Sequence, residues 1–147
     1  MTEFKRNQII AELAESLQVP DYGRFLSYFE ENAVFELPFE VDGGIMLKGL
    51  PEIRKHFESL AADPIGKLLR IEEIMTKSYQ SSEEVIVEFF TKGRLVSTGG
   101  TFHVQSSIAI IRFGESGIVY YKDIPNTLGL AKKAGVLTQL ATSWKDE

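Results

Sequence analysis

Asp123 is the residue whose type and setting best suit proton transfer. It stands in Tyr120-Tyr121-Lys122-Asp123-Ile124, an acid among large side chains. Burial there would disfavour the charged carboxylate, raise its pKa and make it an acid or base near neutral pH. The plain alternative is a strand-end acid that pairs with a lysine or caps the turn at Asn126. His103 is one of two histidines and titrates in the useful range. On an alternating strand it shares a face with Gln105 and Ser107, a polar stripe suited to ligand oxygens. Its place beside Gly99-Gly100 equally fits a rim position. Glu88, inside Val85-Ile86-Val87-Glu88-Phe89-Phe90, needs a partner. Arg112, Lys122 and Arg70 are the candidate cations, and a structural or dimer-face ion pair is the expected role. Glu36 reads as cavity mouth or surface, and His56 as solvent-facing among charged neighbours. The chain has no cysteine and only two isolated histidines, so neither a disulfide nor a zinc or iron site is expected. Gly43-Gly44 and Gly99-Gly100 read as turns rather than phosphate loops.

These residues are positioned by a chain that reads as helices first and long strands after. Phe4, Ile9, Ile10, Leu13 and Leu17 recur at helical spacing opposite Lys5, Arg6, Glu12 and Glu15. Pro20 ends that helix. Asp21 then suits the N-cap of a short second helix carrying Phe25, Leu26, Tyr28 and Phe29. Ala33 to Leu37 alternates as a strand stopped by Pro38, Asp42-Gly43-Gly44 turns the chain, and Ile45 to Leu47 returns. A third helix spans Gly49 to Leu60, with Pro51 near its first turn. Four long strands follow, at about 67–79, 84–97, 100–113 and 117–124, with turns at Ser81-Ser82, Gly99-Gly100 and Gly114–Gly117. That is the pattern of an antiparallel meander. A last helical segment, about Leu128 to Ala141, is interrupted by Gly135. The expected class is α+β, in a single domain over residues 1–147.

The long strands are apolar on both faces, as Val85, Val87 and Phe89 against Ile86 and Phe90 illustrate. A sheet with one wet face alternates more cleanly. Helices are therefore expected on one side and a second copy of the chain on the other, a homodimer through the sheet face. A net charge of −5 without basic clusters argues against nucleic acid. No run approaches the roughly 18 apolar residues of a membrane span. Met1 to Gln18 carries charges throughout and lacks an apolar signal core, so the default expectation is a cytoplasmic protein.

Helix, Asp21 and helix, then Phe35-Glu36-Leu37-Pro38-Phe39, then Lys48-Gly49 opening a helix through Ile53 to Phe57, resemble the front half of the ketosteroid-isomerase-like (NTF2-like) superfamily. Thr98-Gly99, the strand through Ile110 and Tyr121-Lys122-Asp123-Ile124-Pro125-Asn126 resemble its SnoaL-like branch of polyketide cyclase relatives, with Ile124 in place of an aromatic and an Asn-Pro pair reversed. The resemblance implies a curved antiparallel sheet wrapped around three N-terminal helices, an apolar pocket, frequent dimers, and neither metal nor organic cofactor. It also implies site positions. The steroid isomerase's base falls at Leu37, its tyrosine near Leu13 and its oxyanion Asp near Ala109, so steroid isomerase activity is not expected. The cyclases' acid/base Asp falls at Asp123, although their supporting His falls near Ala109. A phenazine-pathway group likewise has an acid at the Asp123 position. The Asp-Arg-Asp set of limonene-type epoxide hydrolases is not assembled.

The resulting expectation is a cofactor-independent cyclase- or isomerase-type enzyme acting on a small, hydrophobic, carbonyl-bearing molecule. Asp123 would transfer the proton, and His103 or Gln105 would stabilise the enolate oxygen. Phe25, Phe29, Phe35, Leu37, Phe57, Phe89, Phe102 and Tyr121 would contact the ligand. The alternative is a non-catalytic module that holds a small hydrophobic ligand in the same pocket. A third is a dimeric interaction domain working through its sheet face.

Overall fold

A computed structural model describes residues 1–40 and 43–144, apart from the side chain of Ile65. Helix α1 (Glu3–Gln18) starts at Thr2, whose hydroxyl accepts the Lys5 N–H at 3.1 Å. It buries Ile9, Ile10, Leu13 and Ala14, whereas Phe4 of the same stripe is 80% exposed. Asp21 caps α2 (Tyr22–Leu26) by accepting the Arg24 N–H at 2.9 Å, as its position suggested.

The second helix was expected to run through Phe29, but it stops at Leu26. The Ser27 N–H turns back onto Arg24 and Gly23 carbonyls, and the Tyr28 carbonyl accepts the Ile118 N–H at 2.8 Å. Sheet pairing thus takes the chain before another helical turn can form. Strand β1 (Phe29–Leu37) is followed by β2 (Ile45–Lys48), α3 (Leu50–Ala62) and a short 3-10 turn at Pro64–Lys67 that the sequence did not suggest. The turn expected at Asp42-Gly43-Gly44 lies partly outside the described residues.

Strands β3 (Leu69–Gln80), β4 (Val85–Leu95), β5 (Thr101–Phe113) and β6 (Ile118–Pro125) form the expected antiparallel meander. The sheet is curved and unclosed, with strand order β2-β1-β6-β5-β4-β3. It is not antiparallel throughout, because β6 returns beside β1 in the same direction and those two pair in parallel. Helix α1 lies on β3, α3 on β1, and α2 touches both helices.

The chain ends in a helical hairpin of α4 (Thr127–Ala134) and α5 (Leu137–Ser143). Gly135 terminates α4 at φ +75°, a left-handed conformation that other residues adopt only with strain. The core is one cluster in which Phe25, Phe29, Phe35, Phe57 and Phe89 meet aliphatic side chains from α1, α3 and the long strands. Tyr121 stacks on Phe35 at 5.0 Å between centroids, with the rings 6° from parallel. Among the described residues, no helix is long and apolar enough to cross a membrane.

Candidate functional site

The period-two rule puts Tyr121, Asp123 and Pro125 on one face of β6. That face lines a cavity of about 300 Å³ between the sheet, α2, α3 and the first turns of α4. Its aromatic wall is Tyr22, Phe25, Phe35, Phe57, Phe89, Phe102 and Tyr121. Asp123 is the one carboxylate among the described lining residues. On β5 its partner is Ala109, which offers no side-chain hydrogen bond.

Among the described residues nothing hydrogen-bonds the Asp123 carboxyl. Surrounding protein keeps water from solvating it fully and raises its pKa to about 7, with the negative charge of Glu40 adding to the effect. The residue is only half-buried because the cavity beside it admits solvent. Tyr121 is buried except toward this space. Its phenol has no hydrogen-bond partner among the described residues and is held well above its ordinary pKa, first by burial and then by Asp123. A neutral donor and a proton-accepting carboxyl therefore sit two residues apart on one strand face.

The remaining polar lining comes from a bulge. Phe89 pairs with Ser107, but Phe90 pairs with Gln105, so Ser106 is an extra residue in β5. Beyond it the alternation inverts. Ser107 and Ala109 face inward on one side of the bulge, and Ser106 and Phe102 on the other. Thr91 Oγ1 donates to Ser106 Oγ at 2.8 Å, and Ser106 Oγ donates to the Phe89 carbonyl at 3.2 Å. The Ser107 hydroxyl makes no such bond among the described residues.

The same bulge moves two expected site residues away. Gln105 points to the outer face, where it donates to Glu88 Oε2 at 2.8 Å. His103 pairs with Lys92 and lies in an outer cleft with Glu72, Glu73 and Lys133. That cleft is larger, about 740 Å³, but it is a surface feature whose Lys92 and Glu73 neutralise one another at 2.8 Å while staying half-exposed. Its acids, Glu72 and Glu73, are both half-exposed and ion-paired, so the smaller cavity is the better candidate. Phe29 and Leu37 are buried inward but belong to the core beside the cavity rather than its lining.

Glu88 was expected to meet a cation. It instead accepts hydrogen bonds from neutral donors, Tyr79 Oη at 2.7 Å and Gln105. Glu36 is on the outer face beside Lys122 at 4.0 Å and accepts the Tyr120 hydroxyl. His56 is not solvent-facing. It packs on Phe35 and Phe57, and burial lowers its pKa against an opposing pull from Glu40.

Several lining residues were not singled out from the sequence: Thr91, Ser106, Pro20 and Leu130 among them. Thr91 is nearly fully buried at the end of an apolar run, and that was the available signal. Ser106 needed knowledge of the bulge. Among the described residues, no group of three or more His, Asp or Glu is placed to hold a metal ion.

The model of the SnoaL-like domain family matches residues 10–121. The chain belongs to that family. Solved structures agree on the fold of this SnoaL-like chain. A Bacillus subtilis protein assigned as an isomerase superposes with a TM-score of 0.72 at 24% identity, covering 92% of this chain and 97% of that one. A Catenulispora acidiphila protein with a ketosteroid isomerase-like fold, in complex with trimethylamine, gives 0.63 at 14%, covering 87% and 92%. A Xanthomonas campestris protein assigned as a polyketide cyclase gives 0.59 at 14%, covering 87% and 95%. No curated protein matches the sequence. At these identities the likeness establishes an NTF2-like fold.

Proposed function

We propose that this SnoaL-like protein is a proton-transfer enzyme of the cyclase or isomerase type, acting on a small hydrophobic carbonyl compound with Asp123 as acid and base. The observation that carries this reading is the Asp123 carboxyl: without a hydrogen-bond partner among the described residues, desolvated to a pKa of about 7, and facing an aromatic cavity. Such a group is substantially ionised near neutral pH and is also protonated often enough to return what it takes. The carboxylate removes a proton from the carbon next to the carbonyl, and the electron pair moves to oxygen as an enolate. Tyr121 Oη, with Ser107, supplies the donor that His103 and Gln105 were expected to provide. In a β,γ-unsaturated carbonyl compound the resulting dienolate takes the proton back at the γ-carbon, which is isomerisation. Alternatively, the enolate carbon attacks a second carbonyl of the same molecule and Asp123 protonates the new alkoxide, which is aldol cyclisation.

The isomerase and polyketide cyclase assignments of the structural neighbours fit this class of chemistry. We also propose that the molecule works as a homodimer joined through the outer sheet face.

Carboxyl-carbon NMR titration of Asp123, paired with solvent-deuterium exchange at the α-carbon of hexanone, tests the assignment. The expected result is a titration near 7 and exchange that disappears in Asp123→Asn, with ketone affinity within a few-fold of wild type. Equal exchange in both proteins ends the catalytic assignment. Non-catalytic binding of a hydrophobic ligand is the second reading, favoured by the apolar residues at Leu13, Leu37 and Ala109, each of which is buried.

A further inference from the structure

The acid-bearing cavity shares a wall with a second chamber. A space of about 410 Å³ lies beneath the α4–α5 hairpin, against α3, the 3-10 turn and β3. Tyr22, Leu60, Leu69, Ile71 and Leu130 line both spaces, so the two meet along one apolar seam. Their remaining walls differ in chemistry. The inner chamber carries Asp123, Thr91, Ser106 and Ser107. The outer one is completed chiefly by Ala131, Ala134, Val136 and Leu140, with Asp63 and Thr127 at its polar margin.

Size and packing both point to a ligand that uses the two together. Alone, the inner chamber is at the small end of the roughly 300–1,000 Å³ range of ligand sites. The hairpin over the outer chamber is only partly seated. Helix α4 packs on β5, but α5 buries no residue, and Leu140 is left half-buried over the space. The root of the hairpin is pinned at the polar end. Asn126 Nδ2 donates to the Gln105 carbonyl at 2.9 Å, its backbone N–H donates to the Ser106 carbonyl at 2.9 Å, and its Oδ1 accepts the Gly129 N–H at 3.0 Å. The hairpin is thus hydrogen-bonded to the sheet beside the acid, while over the apolar space its second helix buries no residue.

We infer that the outer chamber receives an aliphatic tail whose carbonyl head lies at Asp123, so the substrate is an elongated ketone rather than a compact one. This rests on the proton-transfer reading for the head and adds the tail subsite, with Ala134 and Leu140 setting tail length.

A homologous series of methyl ketones, from hexanone to dodecanone, tests it by titration calorimetry on wild type, Ala134→Trp and Leu140→Ala. Each methylene that enters the apolar chamber is worth about fourfold in affinity. Wild-type affinity should therefore climb with chain length. The dodecanone-to-hexanone affinity ratio should fall about tenfold or more when Trp fills the chamber. Leu140→Ala removes wall contacts without crowding α4, and it should lower the same ratio even if the Trp variant misfolds. A wild-type ratio near one, or a ratio untouched by both variants, overturns the tail subsite. The head is judged separately: Asp123-dependent exchange in hexanone with a flat length series would leave the proton-transfer reading standing and this inference refuted. A steep series without any exchange would do the reverse.

Discussion

Asp123 is a liability to the fold for the same reason that it is useful in the site. An unfolded Asp titrates near ~3.9, whereas the folded group titrates at about 7. Between those values the folded protein keeps a proton that the unfolded chain releases. The group's contribution is therefore most favourable below the lower pKa, declines as pH rises through the window, and is level above it. In wild type this should appear as a loss on the order of 2–4 kcal/mol of unfolding free energy between about pH 4 and about pH 8. Asp123→Asn, which cannot ionise, should flatten that slope and be the more stable protein at the alkaline end. Urea unfolding at several pH values checks this, and an unchanged slope in the variant would show that the carboxyl is well solvated. Glu40 contributes to the same shift through its negative charge.

Among the elements, the bulges in the long strands do most to shape the site. One bulge turns Ser106 inward and sends Gln105 outward. A second lies between Ile71 and Glu73, where Ile71 pairs with Gly93 and Glu73 with Lys92. It keeps Leu69 and Ile71 in the cavity wall before the bulge and Ile74 in the same wall after it. Gly93 is the residue that permits this. A Cβ there would sit 2.0 Å from the Arg70 carbonyl oxygen, a backbone atom that cannot step aside alone. Gly93→Ala should cost about 3 kcal/mol, the upper end of what overpacking does. It should also disturb the cavity, since Phe102 is opposite Gly93 on β5. Thermal unfolding measures the cost, and a variant as stable as wild type would mean that the strands separate there without penalty.

At the scale of the molecule, the two faces of the sheet divide the labour. The inner face carries the core and the acid. The outer face leaves Met75 45%, Tyr79 45% and Ile86 41% exposed, close to half-exposed Phe90 and Ile110. Glu88 among them accepts hydrogen bonds from Tyr79 and Gln105, which lowers the cost of covering its charge with an apolar partner. If two copies meet here, Ile86→Lys should convert a dimer into a monomer and halve the mass seen by sedimentation equilibrium, while the Asp123 titration stays in place. A wild-type monomer would end the dimer proposal.

Some of this architecture was legible in local chemistry. The amphipathic helices, the Asp21 cap, the break at Gly135 and the four long strands depend on near neighbours in the chain, where spacing and caps act directly. Asp123 could be singled out because a lone acid in an apolar strand end has few inexpensive fates. Other features depend on groups distant in sequence. The parallel pairing of β1 with β6 and the early end of α2 both follow from where β6 returns. Phe25, Phe35, Phe57 and Phe102 face one cavity, while Phe29 and Leu37 stop beside it, because sheet curvature decides which inward residues reach open space. His103 and Gln105 looked like site residues under strict alternation, and one extra residue at Ser106 reversed their faces. Residue types and period determined the elements and the candidate acid. Only the tertiary structure decided which side chains share the cavity with it, because bulges and strand order are settled by pairing between segments, and no single segment carries that information.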